Sequence, residues 1–109
     1  YLIWNEPKMT IGSDTFIHSM IESAGFRNIF EGWSRYPVVS PGEIERMKPD
    51  FIFLSSEPFP FKEKHREEFQ QQFPVSKAIL VDGEMFSWYG SRMKYASEYF
   101  INLNQKLTI

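Results

Sequence analysis

The sequence contains no cysteine, and this absence excludes disulfides, thiolate chemistry and cysteine-ligated zinc or iron–sulfur sites. It also lacks a long apolar run. No segment approaches the roughly 20 consecutive apolar residues of a membrane-spanning helix, so we expect a soluble domain. Charge of one sign does not dominate, because 12 basic and 14 acidic side chains are interspersed and leave a net charge of only −2. This balance provides no basic surface for nucleic acid, and we predict no nucleic-acid partner.

Apolar and aromatic side chains are abundant by contrast. Of the 109 residues, 42% are hydrophobic and 17% are aromatic, which is enough to build one hydrophobic core. We therefore predict a single domain over residues 1–109. The chain begins at Tyr1 with neither an initiator methionine nor a signal-like segment, so we expect a fragment of a longer protein whose targeting signal lies outside this sequence.

Two continuous apolar runs dominate the pattern of secondary structure. Residues 51–54 and 78–81 are each typical of a strand that is buried on both faces. Leu80 belongs to the second run, so Leu80→Ala is expected to remove about 2 to 5 kcal/mol of stability by leaving a cavity. Shorter apolar segments at 1–4 and 28–30 are also predicted to be strands.

Helical patterns separate these strands. Ser40, Pro41 and Glu43 provide the N-cap, the first helical position and the capping box of a helix over 40–48. Further helices are predicted over 14–24, capped by Ser13 or Asp14, over 62–72, and from residue 91 onward. The alternation indicates an α/β fold with a small, mostly parallel sheet flanked by helices, as in a Rossmann-like three-layer lobe.

The ligand crevice of an open α/β sheet lies beyond the carboxyl ends of its strands. The segments predicted to follow the strands are 5–12, 31–37, 55–61 and 82–90. The last three are rich in aromatic rings, the first contributes a methionine, and the segment at 82–90 is long for a connection between a strand and a helix. The ligand-binding candidates that they supply are Met9, Tyr36, Phe59, Trp88 and Tyr89.

Packing is the alternative explanation for these rings, because large apolar side chains usually belong to a core. Phe86, in the last segment, is readily explained in this way. Tyr36 and Trp88 carry polar groups and lie beside turn residues, which favours a rim that touches ligand.

Catalytic machinery is poorly represented in the sequence. His18 and His65 lie within predicted helices, where solvation or a local hydrogen bond is the expected role. Glu57 and Glu84 are loop carboxylates that could pair as acid and base, but their spacing does not fix their separation. We therefore predict no catalytic residue, no metal ligands and no catalytic cofactor, and keep a small α/β enzyme using Glu57 or Glu84 as an alternative.

Three segments, 10–30, 36–50 and 82–92, together resemble periplasmic substrate-binding proteins of the vitamin B12 and iron-complex ABC importers. The resemblance covers essentially the whole chain and corresponds to the C-terminal lobe of the two-lobed, helix-linked type. It implies a periplasmic or lipid-anchored extracytoplasmic protein with an N-terminal lobe outside this sequence. Its partners would be an ABC permease and a metal chelate, most closely a corrinoid such as cobalamin, with a ferric siderophore or heme as alternatives.

The resemblance also implies roles for individual residues. Tyr36 aligns with a ligand-contacting tryptophan and Met9 with a contacting phenylalanine, while Trp88 and Tyr89 fall in the region of the last pocket loop. One glutamate per lobe engages permease arginines in this family, and that docking role is transferred to Glu43, beside the aligned position. Glu45 is the nearby alternative. A third interpretation is an interaction module whose aromatic rim meets a protein, including a second copy of the lobe.

Overall fold

The structure, a computed structural model, describes residues 1–87 and 92–108, with side chains over 1–87 and 98–107. Its helices are α1 (Phe16–Ser23), α2 (Pro41–Met47), α3 (Glu63–Gln72), α4 (Gly83–Ser87) and α5 (Arg92–Thr108), and its strands are β1 (Phe51–Ser55) and β2 (Lys77–Val81). No helix in this described part of the chain is both long and apolar enough to cross a bilayer.

The sheet is parallel, as predicted. β1 and β2 pair in register from Phe51 opposite Lys77 to Ser55 opposite Val81. The predicted strand at 1–4 contributes one parallel bridge on the other side of β1, because the Leu2 amide donates to the Phe53 carbonyl at 2.8 Å and the Leu2 carbonyl accepts from the Ser55 amide at 3.1 Å. The mixed α/β character is thereby confirmed.

The predicted strand at 28–30 is wrong. The Asn28 side chain accepts a hydrogen bond from the Phe30 amide at 3.0 Å, and the Asn28 carbonyl accepts from the Glu31 amide at 3.1 Å. Asparagine side chains compete with sheet hydrogen bonding by bonding to nearby backbone groups. The segment therefore forms a turn, although Phe30 is buried as a strand residue would be.

Both faces of the sheet are packed, and each belongs to a different hydrophobic cluster. Phe53 and Ile79 contribute to the first cluster, which contains residues of α1, α4 and α5. Ile52 and Ala78 contribute to the second, which contains residues of α2 and α3. Since alternate residues of a strand point to opposite faces, helices cover the sheet on both sides.

The prediction that β2 is buried on both faces is wrong at Leu80. The side chain is 36% exposed, whereas Ile79 and Val81 on either side are buried. β2 pairs only with β1 among the described residues. α3 packs beside β2 near Ala78, and its Gln70 accepts a hydrogen bond from the Ala78 amide at 3.0 Å. α3 does not cover Leu80. The large loss of stability predicted for Leu80→Ala is therefore not expected, because truncating a partly exposed side chain leaves no closed cavity.

The sequence suggested an extended loop at 82–92, but the part described before residue 88 is largely helical. α4 occupies its first half, with the Asp82 side chain accepting a hydrogen bond from the Glu84 amide at 3.0 Å. Phe86 is fully buried in the first cluster, and Met85 packs against it. The interpretation of Phe86 as core is confirmed, while Trp88 and Tyr89 lie outside the described residues.

The helix starts follow capping chemistry. The predicted capping box of α2 is confirmed: Ser40 Oγ accepts from the Glu43 amide at 3.1 Å, and the Glu43 carboxylate accepts from the Ser40 amide at 2.9 Å. α1 begins later than predicted, with Thr15 as its N-cap. Asp14, one of the predicted caps, instead accepts a hydrogen bond from the Arg35 amide.

Candidate functional site

Two backbone segments, 8–13 and 33–39, run antiparallel beside the carboxyl end of the sheet and form a wall. Four hydrogen bonds of 2.7 to 3.0 Å join them, from the amides of Val39, Thr10, Gly12 and Ser13 to the carbonyls of Lys8, Pro37, Arg35 and Trp33 respectively. Met9 forms antiparallel bridges with both Trp4 and Val38. The wall therefore brings residues that are far apart in sequence to one edge of the domain.

Gly12 allows the close approach of these segments. A Cβ atom at this position would collide with the Trp33 carbonyl oxygen and lie 2.8 Å from the Ser34 Cα. Both are backbone atoms, which cannot rotate away as a flexible side chain can. The wall thus depends on the absence of a side chain at Gly12.

A cavity of about 520 Å³ opens against this wall. Such a volume is within the usual range for ligand pockets. Its lining residues come from the end of the first chain segment, the wall, α1, the segment after β1 and the end of α4: Ile3, Trp4, Met9, Ile17, Tyr36, Glu57, Pro58 and Ser87. The cavity therefore lies where the carboxyl ends of the parallel strands meet.

Two of the predicted ligand residues, Met9 and Tyr36, line this cavity together. Phe59 lies behind the lining, with its ring centroid 5.5 Å from that of Trp4 in an edge-on contact. Trp88 and Tyr89 fall outside the described residues, although Ser87, which precedes them in sequence, lines the cavity. Tyr36 is 50% exposed, so its ring lies at the mouth.

Other rings of the predicted rim belong elsewhere. Phe61 and Phe86 are buried in the two clusters, and Trp33 packs edge-on against Phe30 with centroids 5.5 Å apart. Trp4 was missed as a site residue because it was assigned to the predicted first strand. Its position directly before a segment at the carboxyl edge, together with its polar indole, was the available signal.

Glu57 is held in place at its backbone. The buried Ser55 Oγ donates to the Glu57 carbonyl at 2.7 Å, accepts from the Glu57 amide at 3.3 Å and accepts from the Tyr1 hydroxyl at 3.1 Å. These bonds use the full capacity of one hydroxyl group. A Cβ atom on Gly83 would collide with Ser55 Oγ and lie 2.8 Å from Glu57 Cγ, so α4 packs tightly against the same turn.

Glu57 is the only charged residue among the described residues that line the cavity. Two neutral phenols lie near this edge. Burial raises the pKa of the Tyr1 hydroxyl, and the negative charge of Glu57 contributes to the same direction. Burial likewise raises the pKa of Tyr99, whose oxygen accepts a hydrogen bond from the Asp82 amide at 2.9 Å. Both phenols are therefore protonated at neutral pH.

The two glutamates of the enzyme alternative are not brought together in this cavity. Glu57 lines it, whereas Glu84 lies in the first turn of α4 and does not. The described residues also contain no group of three or more histidine, aspartate or glutamate side chains with the spacing of a metal site. The described lining therefore offers a binding surface with a single carboxylate.

Both histidines have local structural partners, and neither lines the cavity. His65 Nδ1 accepts a hydrogen bond from the Lys62 amide at 2.9 Å, and its ring lies edge-on to Phe59 with centroids 5.1 Å apart. His18 is buried and contacts Asn28. The predicted local bonding is found for both, while solvation does not describe His18.

A second cavity, of about 580 Å³, lies near the amino end of β1. Its lining includes Phe26, Phe30, Met47 and Asp50, and it contains none of the predicted ligand residues. The smaller cavity is the better candidate, because it lies at the edge where open α/β sheets bind ligands.

The predicted docking residue Glu43 lies at the start of α2, directly after the wall. One oxygen of its carboxylate is engaged in the capping box. Glu45 is exposed on the same helix. The Lys8 carbonyl accepts from the Val39 amide at 2.9 Å, so the segment that bears Met9 is bonded to the residue that precedes the Ser40 N-cap.

The chain matches no family model and no curated protein.

Proposed function

We propose that this domain is the C-terminal lobe of an ABC-importer receptor that captures a metal chelate, with a corrinoid such as cobalamin as its ligand. The observation that carries the proposal is the cavity in which Trp4, Met9 and Tyr36 lie together at the carboxyl edge of the sheet. A flat, partly apolar macrocycle is matched by aromatic rings and a polarizable thioether.

The charge of the cavity favours this ligand over the alternatives. Anionic ferric siderophores are bound well by converging arginines, whose guanidinium groups pair with carboxylates and related oxyanions. No arginine is among the described lining residues, and Arg35 is exposed on the wall. Heme carries carboxylates of its own, which Glu57 would repel. A neutral macrocycle needs no arginine to bind and is not repelled by Glu57.

The cavity would enclose only part of a corrinoid, because 520 Å³ is small for a ligand of that size. The exposed Tyr36 ring is suited to cover one face or edge of the macrocycle, while the rest faces outward. This geometry agrees with a two-lobed receptor in which a second lobe completes the site. Trp88 and Tyr89 are proposed as further ligand contacts on the strength of their position after Ser87.

Docking to the permease is proposed for α2. Glu43 and Glu45 would present carboxylates to permease arginines from a helix whose N-terminal end is bonded to the ligand wall. Glu43→Gln separates this role from helix capping, because glutamine also completes a capping box. The variant should keep its melting temperature and lose transport in a reconstituted permease. Full transport by both the Glu43→Gln and the Glu45→Gln variants would contradict the proposal that α2 docks to the permease.

The function is tested by spectroscopic titration of the full-length protein with cyanocobalamin, heme and a ferric siderophore. We expect cyanocobalamin to bind with a Kd below about 10 μM, which corresponds to about −7 kcal/mol. Tyr36→Ala should weaken this binding about tenfold or more while the domain stays folded, since the ring is half exposed. Trp33→Ala, which removes a 40% exposed ring outside the cavity, is the matched control. Absence of binding by all three chelates would reject the proposal.

A further inference from the structure

We propose that Glu57 determines the specificity of this site by selecting a chelate edge that carries hydrogen-bond donors and rejecting one that carries carboxylates. The inference rests on the function proposed above and adds to it the chemistry of the part of the ligand that enters the cavity. Cobalamin supplies such an edge, because primary amides surround its corrin ring.

The first support is the composition of the cavity. Its described lining contains one ionisable carboxylate, two hydroxyl-bearing side chains, the indole of Trp4 and otherwise apolar groups. No cation among those residues neutralises Glu57. A charge at a largely apolar surface interacts more strongly with a ligand than the same charge in water, because the local dielectric response is weaker.

The second support is that the Glu57 carboxylate has no ion pair or hydrogen bond within the described residues, although the residue is half-buried. Among the described residues, Glu57 forms hydrogen bonds through its amide and carbonyl, both with Ser55. With its backbone fixed and its carboxylate without a partner among the described residues, Glu57 is placed to accept from a ligand donor.

The third support is the rigidity of the turn that holds Glu57. Ser55 is fully buried, and Gly83 leaves no space for a side chain between α4 and this turn. Glu57 therefore cannot retreat far from the cavity without disturbing α4. A ligand carboxylate placed against it would meet a like charge that the fold keeps in position, whereas an amide N–H would gain a charge-assisted hydrogen bond.

The experiment compares two probes on the full-length protein: cyanocobalamin, and monocarboxylate derivatives of it in which one peripheral amide is hydrolysed. The measured quantity is the ratio of the two Kd values at neutral pH. For at least one monocarboxylate isomer we expect the wild type to bind cyanocobalamin at least about tenfold more tightly, the size expected when one charge-assisted hydrogen bond becomes a like-charge contact. In Glu57→Gln the same ratio should fall to within about threefold of one, because glutamine repels no anion.

Glu6→Gln is the matched control, since it removes the same charge from a side chain that is 86% exposed and does not line the cavity. It should leave the ratio unchanged. Glu57→Ala is a second variant and should also abolish the discrimination. Melting temperatures within a few degrees of the wild type establish that a variant is folded.

The outcomes separate this inference from the proposed function. Binding of cyanocobalamin with equal affinity for every monocarboxylate isomer overturns the role of Glu57 and leaves the receptor function standing. A wild-type ratio that persists in both folded Glu57 variants assigns the discrimination to another group and also overturns it. If the wild type binds no chelate, the proposed function fails, and this inference fails with it.

Discussion

The side-chain nitrogen of Asn28 lies 3.2 Å from Nδ1 of His18 and donates to the Ile11 carbonyl at 2.8 Å. The orientation of the Asn28 amide is fixed by its backbone partners, because its oxygen accepts from the Phe30 amide at 3.0 Å. An amide nitrogen only donates, so His18 Nδ1 must accept. The neutral imidazole therefore carries its proton on Nε2, which lies 3.3 Å from the Glu22 carboxylate.

Asn28→Asp tests this relationship. Aspartate keeps the acceptor for the Phe30 amide but removes both donors, so the Ile11 carbonyl and His18 Nδ1 lose a buried partner. We expect a loss of about 1 to 3 kcal/mol in the free energy of unfolding, measured with urea. Nitrogen NMR of the wild type should show the Nε2-protonated tautomer of His18. A protonated Nδ1 in the neutral ring, or an unchanged stability in Asn28→Asp, would contradict the assignment.

Gly12→Ala should disrupt the ligand wall. The added methyl group meets the backbone of Trp33 and Ser34, so the two segments must separate and weaken the hydrogen bonds of Gly12 and Ser13. We expect a loss of about 2 kcal/mol or more in stability, by chemical denaturation. Gly32→Ala is the control, because nothing lies within 4 Å of its added Cβ. Equal stability changes in the two variants would show that close approach at Gly12 is unimportant.

Phe86 and Leu80 make a matched pair for core packing. Phe86 is 0% exposed and contacts the rings of Tyr1, Phe53 and Phe100, so Phe86→Ala should cost about 3 to 5 kcal/mol. Leu80→Ala should cost less than about 2 kcal/mol, because more than a third of that side chain already faces solvent. The comparison uses urea unfolding of both variants, and a larger effect at Leu80 would contradict the packing described for β2.

Stability should fall as the pH rises above about 10, the ordinary pKa of a phenol. Burial raises the pKa of Tyr1 and Tyr99, so the folded state keeps these protons while the unfolded state releases them. The unfolded state then binds fewer protons, and the free energy of unfolding decreases with pH by at most about 1.4 kcal/mol per pH unit for each phenol. Tyr99→Phe should show a shallower decrease in urea unfolding between pH 10 and 11. If wild type and Tyr99→Phe lost stability equally over this pH range, the proposed increase in the pKa of Tyr99 by burial would be contradicted.

Much of the fold could be predicted from local sequence patterns. The apolar run at 51–54 and the capping box at Ser40 predicted β1 and α2 because each depends on neighbours in sequence. The errors have different causes. The Asn28 side chain accepts from the nearby Phe30 amide, a local bond that the apolar pattern of 28–30 did not reveal, whereas Leu80 is exposed because α3 covers only part of β2.

The sequence predicted the location of the candidate site at the carboxyl edge of the sheet better than it predicted the individual residues that line it. Met9 and Tyr36 were selected because both follow predicted strands, and they line one cavity. The hydrogen bonds that bring them together, and the space that Gly12 leaves open, are tertiary features without a sequence signature. For the same reason Trp4 was overlooked, and Glu84 was paired with Glu57 although it does not line the cavity.

The central claim is that a metal chelate binds against the wall at the carboxyl edge, and methyl NMR tests it most directly. Full-length protein labelled at methionine and isoleucine methyl groups would be titrated with cyanocobalamin. We predict that Met9, Ile3 and Ile17, which line the smaller cavity, shift on binding, whereas Met47, Ile29 and Ile44, which line the larger cavity, do not. Shifts confined to the second set, or none in either set at saturating cyanocobalamin, would contradict the account.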